Sequence, residues 1–153
     1  MTSESQALLT ERVGRHALIR LPVSGFESLT LKQKQLTYHL YQASLAGRDI
    51  TYDQNHRLGL TLRHNLNQLL THGEGIDSEL LAKVRVYRKL LWISNGPYFE
   101  RSKRKIAPGF TSEQWALAVK AGQKNGAVFK GLGTTELQAL MFDPDFEPYV
   151  TAK

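Results

Sequence analysis

A chain of 153 residues, 41% of them hydrophobic, is the size of one globular domain that buries about two thirds of its unfolded surface. With 20 Lys and Arg against 14 Asp and Glu the net charge is +6, which favours acidic partners without naming one. The lack of cysteine excludes disulfides, thiolate metal sites and cysteine nucleophiles.

The polar opening, residues 1–6, is expected to fray. It has no secretory pattern, and the longest apolar cluster, residues 90–93, is far too short for a bilayer, so a cytoplasmic protein without a membrane partner is expected. Residues 12–23 allow a short extended piece or a turn of helix, closed by Pro22 and Gly25, and no strand is convincing. Thr30 with Gln33 forms a Thr-x-x-Gln capping box for a first helix, in which Leu36, Leu40, Ala43 and Gly47 recur on one face that should be core.

Residues 45–55, Leu-Ala-Gly-Arg-Asp-Ile-Thr-Tyr-Asp-Gln-Asn, form a junction around which the helices are arranged. Gly47 suits a left-handed cap, Arg48 and Asp49 carry opposite charges, and Asp53 and Asn55 offer oxygens to the amides of a second helix reaching His72. Gly59 inside that helix costs about 1 kcal/mol relative to alanine, which implies close approach of another backbone. A third helix starts at Asp77 or Ser78 and stops at Ser94-Asn95-Gly96-Pro97, with Arg85, Arg88 and Lys89 suiting the negative end of its dipole. Thr111 with Gln114 and Phe110 with Trp115 give a capping box and a hydrophobic staple for a fourth helix. After a glycine-rich passage, residues 126–133, a last helix from Thr134 or Thr135 ends at Asp143-Pro144. The fold expected is all-α, a compact domain of about five helices with short loops. Residues 1–29 make an extended or irregular start and residues 30–153 the helical domain, one domain overall.

Candidate chemistry is sparse. His16, His39, His56, His64 and His72 are scattered and none is followed by Glu, so no metal-ligand spacing is present and no metal or cofactor is expected in this chain. No Gly-x-Ser-x-Gly elbow and no phosphate loop occur. Arg101, Lys103, Arg104 and Lys105, next to Tyr98 and Phe99, form a basic run with aromatic neighbours that resembles a nucleic-acid patch, but a solvated loop is the preferred reading and no nucleic-acid partner is expected.

Three blocks in order resemble the start of bacterial members of the dipeptidyl-peptidase III family. They are Gly25-Phe26-Glu27-Ser28-Leu29-Thr30-Leu31-Lys32-Gln33-Lys34, followed by Tyr38, Gln42 and Ala43; the junction at residues 45–55; and Trp92-Ile93-Ser94-Asn95-Gly96 with Pro108-Gly109-Phe110-Thr111. The resemblance runs from about Glu11 onward. It implies the N-terminal helical portion of a zinc peptidase that removes dipeptides from the N-termini of short peptides. It also implies that Asn95, Gly96 and Tyr98 contribute to a substrate cleft. The family's His-Glu-x-x-Gly-His is not in this chain, so catalytic residues and zinc are expected to lie elsewhere in such an enzyme, and the chain alone to be inactive. Pro97, Glu100 and the basic run depart from the family pattern. The alternative is a small basic helical module binding nucleic acid or protein. Trp92, Phe110, Trp115, Phe129 and Phe142 are many large side chains for short helices to cover, so some exposed apolar surface and self-association are expected.

Overall fold

Residues 8–149 are described by the computed structural model, and the opening residues 1–6 lie outside them. The chain divides into two units, Met1–Arg48 and Asp49–Lys153.

In the first unit, β1 (Leu9–Val13) and β2 (His16–Ile19) form an antiparallel hairpin in a stretch whose sequence shows no convincing strand. Val13 pairs with His16 across a two-residue turn at Gly14, which takes φ 56°. The strand signal is masked because β1 turns Leu9, Glu11 and Val13 to its more protected side, which puts a charged residue in the middle of the alternation. Helix α1 (Leu31–Ala46) starts at Thr30 with both halves of the expected capping box in place. The expectation that its Leu36 face is core fails, since no residue of α1 is buried. The physical reason is in the periodicity. At 100° per residue Leu36, Leu40 and Ala43 lie opposite Leu31, Tyr38, Tyr41 and Leu45, so the helix carries two apolar stripes and no single core-facing one. Gly47 closes α1 with a right-handed φ of −75° rather than the left-handed cap expected, because the chain continues directly into another helix.

That helix, α2 (Arg48–Asn55), takes up most of the junction. Asp53 and Asn55 therefore belong to its last turn and do not cap the next helix. Asp49 lies in its first turn and pairs with Arg63 at 2.7 Å. After a break at His56, α3 (Gly59–Thr71) begins without a side-chain cap. A Cβ on Gly59 would stand 3.0 Å from the Tyr52 carbonyl oxygen, so the expected close approach is α2 itself, folded back over the start of α3. Helix α4 (Ser78–Ser94) is capped by Asp77, which accepts from the Leu80 amide at 2.8 Å, and ends at Asn95 in the left-handed conformation. Helix α5 (Ser112–Lys124) has the expected Thr111 capping box, and the Phe110 and Trp115 rings stack 6.1 Å apart. Helix α6 (Thr135–Phe142) completes a predominantly helical fold, as expected, with six helices among the described residues because the junction is itself one. Among the described residues no helix is long and apolar enough to cross a membrane.

The core joins Leu62, Leu66 and Leu69 of α3 to Val84, Tyr87 and Leu91 of α4, with Tyr98, Ile106, Phe110, Trp115, Leu137, Leu140 and Met141. Of the large side chains for which too little cover is expected from the sequence, Phe110 and Trp115 are buried and Phe129 and Phe142 pack partly buried against the core. A polar row on α3 holds the passage after α5 by its main chain. Asn65, fully buried, donates to the Lys130 carbonyl and accepts from its amide; Gln68 accepts from the Val128 amide; His64 meets the Val128 carbonyl and His72 the Asn125 carbonyl.

Replacing Trp115 with alanine removes the staple and a core anchor and is expected to cost about 3 to 5 kcal/mol in denaturant unfolding. Tyr87 gives the opposite outcome. Its hydroxyl is buried without a hydrogen-bond partner, so Tyr87→Phe removes an unsatisfied polar group and is expected to be neutral or stabilising by about 1 kcal/mol. A loss of stability in Tyr87→Phe would show that the hydroxyl has a partner in solution.

Candidate functional site

The latter part of the junction, residues 49–55, and the Ser94-Asn95-Gly96 stretch, far apart in sequence, meet in the second unit. The left-handed turn at Asn95, φ 52°, lets the Gly96 amide reach back to the Leu91 carbonyl at 3.0 Å and ends α4 sharply. Gly96 then lies against Asn55 so closely that a Cβ at residue 96 would fall 2.3 Å from Asn55 Oδ1. Beside this contact the Tyr52 hydroxyl donates to the Leu91 carbonyl at 3.1 Å, and the Arg63 guanidinium covers the Tyr52 ring at 4.7 Å.

The turn leads through buried Gly96 and Pro97 to Tyr98, which is 2% exposed. Its hydroxyl donates to the Glu147 carbonyl at 2.9 Å. His56 Nδ1 accepts from the Leu58 amide at 3.0 Å, so Nε2 is the nitrogen left to donate to Glu147 Oε2 at 2.7 Å. Glu147 thus ties three distant pieces of chain together. Burial first, and the Glu147 carboxylate second, push the Tyr98 phenol up to about 12, while burial pushes Tyr87 up further.

Of the three cleft candidates, Tyr98 and Gly96 are therefore buried and Asn95 alone is half-exposed. Asn55, Tyr52, His56 and Glu147 join them. The sequence offers no sign of Glu147, which stands in an otherwise ordinary acidic tail.

The basic run does not act as one patch. Arg101, Lys103 and Arg104 are exposed, with Lys103 in a left-handed conformation. Lys105 turns inward instead, and its ammonium donates to the carbonyls of Ala139 and Asp143 at the end of α6 and of Phe146 just beyond it. Burial lowers its pKa, against the pull of Asp143, Glu147 and Asp145. Three cations, not four, remain for phosphates there.

His56 uses both ring nitrogens in hydrogen bonds, and His64 and His72 use one each. Among the described residues no group of three His, Asp or Glu that could hold a metal ion is found. No family model matches the chain, and no curated protein matches it.

Replacing Gly96 with alanine forces the added methyl into Asn55 and is expected to cost about 1 to 3 kcal/mol by the overpacking that results. Urea unfolding measures this, and an unchanged midpoint would mean that the two stretches are not in contact. Folded Tyr98 keeps its proton in a range where an unfolded tyrosine, with a pKa near 10, loses it. Stability is therefore fully present below about pH 10 and falls as pH rises towards about 12. Urea midpoints across this range should decline, and less steeply in Tyr98→Phe.

Proposed function

We propose that the chain is the helical, metal-free portion of a peptidase of the dipeptidyl-peptidase III type, whose substrates are short peptides. The observation that carries this reading is the contact of Asn55 with Gly96. It joins two of the blocks on which the resemblance rests, so they make one structural unit. In this role α2 and the turn after α4 are scaffold. They hold Asn95, the half-exposed member, at the helix end, where a peptide group could meet it. Zinc and the water-activating glutamate would come from a His-Glu-x-x-Gly-His segment, which these 153 residues do not contain.

Two measurements test the proposal. Purified chain supplied with zinc should release no dipeptide from peptide N-termini and should retain no stoichiometric zinc after dialysis. Genomic DNA beyond the codon for Lys153 should encode an in-frame His-Glu-x-x-Gly-His. Its absence there, or dipeptide release by the chain itself, would overturn the proposal.

A further inference from the structure

The first unit has almost no interior. Of its described residues Val13 alone is buried, yet eleven of the seventeen exposed large apolar side chains among the described residues lie in it. A unit this small with no core of its own is stapled by disulfides or a metal, or it is covered by another subunit. The chain has no cysteine, and among the described residues no group of His, Asp or Glu could hold a metal ion.

Helix α1 carries most of this surface, in Leu31, Leu36, Tyr38, Leu40, Tyr41 and Leu45, each at least 42% exposed. Leu31, Tyr38 and Leu45 recur every seven residues, within about 40° of one another around the axis, and Tyr41 adjoins them. Two helices that pack side by side use this repeat. The stripe is also symmetric, since Tyr38 stands seven residues from both leucines. Charge is confined to one end. Lys32 and Lys34 lie in the first turn, against the helix dipole and with no acid beside them, and residues 35–46 contain no Asp, Glu, Lys or Arg. Lys34, at the edge of the stripe, donates to the Glu27 carbonyl at 3.0 Å and lies over the Phe26 ring.

We propose that α1 is the interface of a symmetric dimer of this chain, in which two copies of the helix lie antiparallel with the two-fold axis at Tyr38. Leu31 then meets Leu45 of the partner subunit, and Tyr38 meets its own equivalent. Lys32 of each copy reaches the C-terminal end of the other helix, whose last turn holds no cation and whose carbonyls attract one. A parallel pair would crowd the lysines of both copies together. Another protein's surface could cover leucine and tyrosine, but a seam that reads alike from both ends, charged only where its antiparallel copy is complementary, matches itself. The area is sufficient. Eleven side chains exposing on the order of 100 Å² each offer about 1,000 Å² per copy, and burying half of it on both copies meets the threshold of a specific interface. The inference does not rest on the peptidase reading.

Light scattering of the full chain after size exclusion, over a concentration series reaching about 100 µM, should show monomer passing to dimer. Tyr38→Glu sets like charges against each other on the axis and should weaken the dimer about a hundredfold, with the helical circular dichroism retained. Leu40→Gln, on the opposite stripe, should leave it within about threefold. Because the chain has no cysteine, introduced thiols read the axis. Under mild oxidation Tyr38→Cys should link to its own copy. Leu31→Cys should link to Leu45→Cys in a mixture but not to itself, since the antiparallel pair holds its two copies about 20 Å apart. A chain that stays monomeric across the series would overturn the proposal. So would a dimer untouched by Tyr38→Glu, or self-linking of Leu31→Cys, which a parallel pair would give.

Discussion

The end of α4 can press against the end of α2 only because residue 96 has no Cβ. A second close approach complements it, with Gly59 giving room to the Tyr52 carbonyl. An eight-residue helix is far too short to persist alone. Here it is held between two close neighbours, with no room for a Cβ at residue 96 and only a tight 3.0 Å for one at residue 59, and the Tyr52 hydroxyl adds a hydrogen bond to the Leu91 carbonyl. From this contact the chain runs directly into buried Pro97 and Tyr98, and through Glu147 the closing segment is tied back to His56. Relaxing the approach at residue 96 would therefore disturb the packing of α2 and α4 and also the placement of Tyr98.

Much of the helical part is legible in the sequence because its signals are local. The Thr30 and Thr111 capping boxes each need four consecutive residues, and Asp77 needs only the amide of Leu80. The one-sided leucine periodicity of α3 likewise translates directly into Leu62, Leu66 and Leu69 in the core. The failures depend on information outside the local window. Asp53 and Asn55 are good cap residues, and nothing nearby reveals that the preceding stretch is already helical. In α1 the apolar residues satisfy a helical period on two opposite sides, so a search for one stripe finds one and assigns it to a core that does not cover it.

The candidate site divides in the same way. Asn95 and Gly96 are recognisable as a helix terminator, and their left-handed and closely packed conformations accord with that role. Their partner, Asn55, is brought to them only by the folding back of α2. The basic run shows the converse. Lys105 looks like its neighbours in the sequence, but three carbonyls at the end of α6 and just beyond it draw it away from the surface. A lysine that caps a distant helix cannot be told from one that awaits a phosphate until both segments are in place.

The row of α3 side chains along the passage after α5 holds it through amides and carbonyls at residues 125, 128 and 130. Contacts of this kind are indifferent to the side chains borne by the segment they grip. Val128 points outward at 67% exposure, while Ala127 is buried and Phe129, partly buried, packs against Trp115. The passage is thus a socket whose specificity resides in α3. Positions 128 and 130 are places where the molecule can carry a foreign side chain, a label or a short grafted epitope while the helix beneath maintains the path of the chain.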